Sequence, residues 1–179
     1  KPVFDNPSEF HTVSLLLGVY AYAVEIYLNF SGYTDLVTGI ALLLGFKLPV
    51  NFMAPYLASS LKRFWGMWHI SLSRWIQDYI YIPLGGNRKG FTRMQINVMI
   101  AMVLSGLWHG ETLNFLIWGA IHGLGVVFLN IKDEWKSKKL SASGMSKEDI
   151  KNYFKQDSSG WMLYFNRFLT FNYVCLGWI

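Results

Sequence analysis

The chain is short of charge and almost without cysteine. Only 15% of its 179 residues are charged, where an ordinary soluble domain carries about 25%. Apolar residues fill the deficit, 53% of the chain, a balance that suits a bilayer better than water. The single cysteine, Cys175, rules out an intrachain disulfide and any metal site built on cysteine pairs. There is no GxSxG elbow, no HExxH and no phosphate-binding loop, so the hydrolase, zincin and nucleotide-triphosphatase readings lack their usual marks. The opening stretch, KPVFDNPSEFH, has neither an initiator Met nor a short apolar core before a cleavage site, and is not a signal peptide. The other end stops inside an apolar run, CLGWI. The chain is therefore expected to be a piece of a longer protein.

Long apolar runs dominate what is present. Residues 12–30, TVSLLLGVYAYAVEIYLNF, can span a bilayer as a helix and carry one charge, Glu25. Ser31, Gly32 and Asp35 then predict a turn before a second apolar helix over 30–46, with Asp35 in its first turn complementing the helix dipole. Pro49 and Pro55 mark 47–60 as an irregular crossing segment. From about 60 to 80 the helical period places Trp65, Trp68, His69, Leu72, Ile76 and Tyr79 on one face. Arg63, Ser71, Arg74, Gln77 and Asp78 fall opposite, as in an amphipathic helix suited to a membrane interface or to a protein-lined cavity. Pro83 ends that helix, and LGGNRKG (84–90) is a basic turn. Residues 132–160 hold seven Lys and five Asp or Glu and read as a solvated loop. The domain reading is thus 1–131 as a transmembrane core, 132–160 as a polar cytoplasmic loop, and 161–179 as the start of a further span.

The net charge of +5 fits lysines gathered in cytoplasmic loops. No nucleic-acid-binding motif accompanies it, so nucleic acid is not an expected partner. Because the segments before 94 and after 131 are both basic, 94–131 reads as a membrane hairpin with His109-Gly110 at its turn. Its first arm, about 15 residues or about 22 Å of helix, is shorter than a hydrocarbon core of about 30 Å. His109 is therefore expected inside the membrane span, flanked by Glu111 and Asn114.

Chemistry concentrates between Leu61 and His122, where three of the four histidines lie and two Trp-His pairs, Trp68-His69 and Trp108-His109, stand. His109 is the candidate general base, since an imidazole titrates near neutral pH; a structural histidine bonded between helices is the plain alternative. His122 is placed to meet His109 across the hairpin, and His69 to approach from the interfacial helix. The spacings, 40 and 13 residues, have no metal-ligand period, and no metal is expected.

Three blocks carry a family likeness: FSGYTDLVTGIALLLGF, then NFMAPYLASSLKRFWGMWHISLSRWIQDYIYIPLGGNRKG, then LSGLWHGETLNFLIWGAIHG. Together they resemble the membrane-bound O-acyltransferase family over residues 27–128, most of all its bacterial alginate and peptidoglycan O-acetylation branch. The D-alanyl transferase of teichoic acid is a more distant likeness. The resemblance implies an all-α polytopic membrane fold, here partial, with an interfacial helix and hairpin segments. It implies a multi-pass protein of the bacterial inner membrane, in contact with lipid. His109 matches the histidine of the family's WHG motif, its catalytic residue, and His69 that of the WHISLS motif. Trp68, Trp108, Asn114, His122 and Asp78 are the candidates for substrate-binding or supporting roles. The implied donor is acetyl-CoA or an acyl-carrier thioester from the cytoplasm, with no bound cofactor. The implied acceptor is a hydroxyl of an extracytoplasmic polysaccharide such as alginate, reached through a periplasmic or membrane acyl-relay partner. The sequence departs from the alginate-type pattern at Gly66 and Met67, usually basic, and at Gln77, usually Arg. These departures bear on donor and acceptor but leave both Trp-His pairs intact. The rival readings are D-alanyl transfer to teichoic acid, and a transporter or channel lined by Glu25, Asp35 and the histidines. The piece alone is expected to be inactive.

Overall fold

A computed structural model describes residues 6–178. They form seven α-helices: α1 (Thr12–Leu43), α2 (Leu61–Trp65), α3 (Ile70–Ile76), α4 (Phe91–His109), α5 (Leu113–Ala142), α6 (Lys147–Lys155) and α7 (Trp161–Gly177). Two of these, α1 and α5, are long and apolar enough to cross a membrane.

The expected turn at Ser31-Gly32 does not exist. α1 runs through it for 32 residues, about 48 Å. Thr34 Oγ1 donates to the Ser31 carbonyl at 2.8 Å, a bond that lets a polar residue sit inside a helix without a partner elsewhere. Asp35 is consequently an exposed mid-helix residue rather than a cap. The helix stops only at Gly45, whose φ of 85° suits the left-handed closing position. There Gly45 N–H bonds the Leu42 carbonyl at 3.0 Å and Phe46 N–H that of Ala41 at 2.8 Å, the paired bonds of a Schellman end.

The core forms where α1, the 44–60 segment, α2 and α7 meet. Ala58, Leu61, Phe64, Trp68 and Val174 are buried together there, with Tyr27, Phe52, Tyr56 and Trp178 packed round them. Tyr56 OH donates to the Ala23 carbonyl of α1 at 2.6 Å, and Tyr20 OH to Asn172 Oδ1 of α7 at 2.7 Å.

The single interfacial helix expected over 60–80 is broken into α2, α3 and a π turn, Gln77–Tyr81. The break at Gly66–His69 is held by the crossing segment. Ile70 N–H bonds the Asn51 carbonyl at 3.0 Å, while Asn51 Oδ1 accepts from Ser71 N–H at 3.0 Å and Ser71 Oγ at 2.9 Å. Trp65 and Trp68 point into protein and line a cavity, the second of the two settings the aromatic face suited, and Trp68 is only 3% exposed. Local periodicity cannot report a break imposed by a strand of chain 20 residues away.

α4 and α5 make the expected hairpin, but its first arm is 19 residues, about 28 Å. That is close to the hydrocarbon thickness of about 30 Å, so the length argument no longer keeps His109 deep within the span. The two helices touch backbone to backbone. A Cβ on Gly106 would overlap the Phe115 carbonyl, and one on Gly119 would lie 2.5 Å from the Met102 carbonyl oxygen. Small residues at such a seam are the usual means of close helix packing in membranes. At the basic turn, buried Asn97 donates to the Gly86 carbonyl at 2.9 Å and the Leu84 carbonyl at 3.3 Å, tying the turn to α4.

The stretch 132–160 is mostly helical rather than a loop. α5 continues to Ala142, and α6 begins at Lys147 with Ser146 Oγ accepting from Asp149 N–H at 3.1 Å. Its charges are spaced for pairing: Glu134 with Lys138 one turn on, at 3.3 Å, Lys62 with Asp133, and Arg63 with Asp157 at 2.7 Å. These half-exposed pairs contribute little each, but they gather α2, α5 and the α6–α7 link at one end of the molecule.

Replacing Gly119 by Leu should force α4 and α5 apart and lower stability by about 1–3 kcal/mol. Gly32→Ala, at an open helix surface with nothing within 4 Å, should not lower it. Thermal unfolding in detergent compares the two, and equal midpoints would show that the seam is not tight.

Candidate functional site

A cavity of about 190 Å³ lies between α3 with its π turn on one side and α4 on the other. One wall is Trp65, Trp68, His69, Leu72, Ser73, Ile76, Gln77 and Tyr81; the other is Val98, Ala101, Met102, Ser105 and His109. On α4 these residues recur three or four apart, the stripe of one helix face. The two walls run in opposite directions, because the basic turn joins the end of the first to the start of the second. Their outer ends therefore meet: His69 and His109 share one end of a slot, and Tyr81 and Val98 the other.

His69 is held in an unusual way. It is the residue just ahead of α3, with φ 43° and ψ 55°, a left-handed conformation that costs a non-glycine residue about 1–2 kcal/mol. The Asn51 bonds to Ile70 and Ser71 fix the turn that follows. The imidazole packs edge-on to Phe30, with ring centroids 4.7 Å apart, and its Nδ1 is buried with no hydrogen-bond partner among the described residues. A strained histidine with a free nitrogen beside a cavity points to a role beyond packing.

His109 ends α4. Its ring lies 5.0 Å from Trp108 and 5.2 Å from Trp118. Trp108 lies in turn 5.8 Å from His69, so this tryptophan, 59% exposed, touches both cavity histidines. A Cβ on Gly110 would lie 2.4 Å from the Phe115 ring, which would have to turn aside.

The remaining candidates divide. Trp68 lines the cavity from the core. His122 does not meet His109 across the hairpin. It is fully buried behind Trp118, with its ring 4.8 Å from Trp118 and 5.1 Å from Trp65, and Trp118 stands between the two histidines. Among the described residues neither nitrogen of His122 has a hydrogen-bond partner. Asn114 and Asp78 are exposed and do not line the cavity; the first sits at the outer turn of α5, and the second faces away on the π turn. Glu25 and Glu111 are also exposed and away from it. Among the described residues no group of three or more His, Cys, Asp or Glu is placed to hold a metal. Residues not singled out from sequence are Ser105, Ala101 and Tyr81; Gln77, assigned there to the opposite face and noted as a departure from the family pattern, lines the cavity. The α4 stripe ending at His109 was available as a signal for the first two; the π turn had none.

The family follows from comparison with known proteins. The profile of the membrane-bound O-acyltransferase family matches residues 4–139, and the chain belongs to that family. The family is a membrane-bound one, and two of the chain's helices are long and apolar enough to cross a bilayer. It is similar to the probable alginate O-acetylase AlgI of Pseudomonas fluorescens, 48% identical over 108 residues, 60% of this chain and 22% of the relative. The peptidoglycan O-acetyltransferase of Helicobacter pylori is 39% identical over 123 residues, 69% of this chain and 23% of the relative. The teichoic acid D-alanyltransferase of Streptococcus thermophilus is 32% identical over 174 residues, 91% of this chain and 40% of the relative. The matched stretch thus spans about a fifth of the length of the O-acetylating relatives.

Asn51→Leu should release the turn after His69, costing about 1–2 kcal/mol for the lost bonds to Ser71. A thermal shift of the purified protein checks it, and no shift would mean that His69 is positioned by something else.

Proposed function

We propose that the protein transfers an acyl group, most simply acetyl, from a cytoplasmic thioester to a hydroxyl of an extracytoplasmic polysaccharide, in the cytoplasmic membrane of a bacterium. One observation carries the reading. Two histidines 40 residues apart in sequence open on the same slot between α3 and α4, with one tryptophan touching both.

The chemistry such a pair supports is direct. An acceptor hydroxyl near His109 gives its proton to the imidazole as its oxygen attacks the thioester carbonyl. The carbonyl oxygen gains negative charge, which an N–H of His69 can stabilise. When the tetrahedral centre collapses, the C–S bond breaks, and the departing sulfur takes the proton back from His109. Ester and thiol are the products, and the enzyme is unchanged. In a variant, His109 itself accepts the acyl group before the hydroxyl does. The apolar lining from α3 and α4 keeps water from competing with the acceptor. The donor is acetyl-CoA or an acyl-carrier thioester. A periplasmic or membrane partner that receives the acyl group and hands it to the polysaccharide fits the same reading, as does alginate as one such acceptor.

A second reading, D-alanyl transfer, is favoured by the 91% coverage of this chain in the match to the teichoic acid D-alanyltransferase, against 60% for the alginate relative. Hydrolysis of the cell's envelope glycans separates the two: acetate released only in cells carrying the protein supports O-acetylation, and D-alanine supports the second reading.

His109→Ala should lower acyl transfer by the whole-length protein 10²-fold or more, the usual range for loss of a general base being about 10²–10⁴. Transfer measured at equal membrane expression tests this, and an undiminished rate would remove His109 from the chemistry. Trapping of labelled acyl-enzyme that disappears with His109→Ala would select the covalent variant.

A further inference from the structure

We propose that His122 is a positioning residue: its imidazole accepts a hydrogen bond from the indole N–H of Trp118, and Trp118, so held, fixes the ring of His109. This rests on His109 being the general base, and it adds what keeps that base in place.

His122 is a polar ring in an apolar box. It is 0% exposed, and Trp65, Trp118, Tyr173 and Trp178 pack round it. Neither its Nδ1 nor its Nε2 has a hydrogen-bond partner among the described residues. Leaving a buried donor and acceptor unpaired costs stability. A phenyl or leucine side chain would fill the same box without that cost. Stability alone does not account for an imidazole here, and breaks in such local rules gather at functional sites.

Trp118 has the matching defect. It is 8% exposed, and its Nε1, a donor only, is also buried with no partner among the described residues. The two side chains stand four residues apart on α5, so the helix itself sets them side by side. Their ring centroids are 4.8 Å apart, from which a small rotation of either ring brings nitrogen to nitrogen. Hydrogen bonds at reaction sites are often long until substrate binds. The direction of the bond follows from α7. A Cβ on Gly177 would lie 2.4 Å from His122 Nε2, so that nitrogen faces the end of α7. Nδ1 is left as the acceptor, in the tautomer protonated on Nε2.

His109 needs such support. It is the last residue of α4, where helices fray. Three aromatic rings pack on it: Trp108, Phe115 and Trp118. Trp108 is 59% exposed and Phe115 37%, so Trp118 is the buried one of the three. Its ring stands 5.2 Å from His109 at 74°. Among the described residues no other ring packed on His122 also packs on His109. A base misplaced by about 1 Å can lose about a hundredfold in rate.

The test is acyl transfer by the full-length protein in membranes, at equal expression. His122→Phe should lower kcat about ten- to a hundredfold, with KM for donor and acceptor within about twofold. His122→Asn, whose Oδ1 stands near the place of Nδ1, should restore part of that loss. Trp118→Phe keeps a ring against His109 but removes the N–H. It should lower kcat as much as His122→Phe does, and the double variant should lower it no further. Trp118→Phe also carries the test should His122→Phe fail to fold. Full kcat in either single variant, equal losses in His122→Phe and His122→Asn, or additive losses in the double variant would each overturn the proposal. His109→Ala run beside them keeps the two claims apart, because undiminished transfer there would remove the base itself, whatever His122 and Trp118 do.

Discussion

The backbone-to-backbone seam between α4 and α5 sets the position of nearly everything chemical in this chain. Gly106 and Gly119 leave no room for a side chain, so the helices close to contact and their turn at residues 110–112 is tight. That closure brings Trp118 of α5 against His109 of α4, with His122 one turn deeper behind it. It also fixes the face of α4 that looks toward α3. One wall of the slot is therefore a consequence of glycines that take no part in it.

The other wall depends on a different kind of constraint. α2 and α3 are too short to be stable alone, and their positions come from the 44–60 segment that crosses them. Asn51 satisfies the first amides of α3, and the strain at His69 persists because the surrounding bonds over-determine it. Aromatic packing round Trp68 then joins this wall to α1 and α7. The slot is thus assembled from one rigid hairpin and one braced, broken helix. Its two ends differ in chemistry: histidines at one, a basic turn at the other. The proposed transfer from a thioester to a hydroxyl would use that asymmetry.

Much of this was legible in the residues, and the failures have physical causes. The hairpin, the irregular segment with Pro49 and Pro55, and the prominence of His69 and His109 follow from apolar run length, proline and the two Trp-His pairs. The continuous α1 was missed because Ser31 and Gly32 resemble a turn, while a long apolar helix outweighs a cost of about 1 kcal/mol for one glycine. The polar 132–160 stretch was missed because charge suggests solvent, and solvent-facing charges at helical spacing are equally content on a helix. The break at His69 is written in Asn51, far along the chain, and no local pattern carries it. Asn114 looked like a site residue because it stands near His109 in sequence, and Asp78 because it belongs to a block that carries the family likeness; a helix turns its neighbours away by 100° per residue, and neither lines the slot.

The central claim is that the slot between α3 and α4 is where donor and histidines meet. Its most direct test is a structure of the full-length protein with a non-transferable ether analogue of acetyl-CoA. The account predicts the analogue lying between the two walls, its acetyl-equivalent carbon within about 4 Å of His109, near the range for reacting atoms. An analogue bound elsewhere, or one in the slot with its acyl end at Tyr81 and away from the histidines, would contradict it.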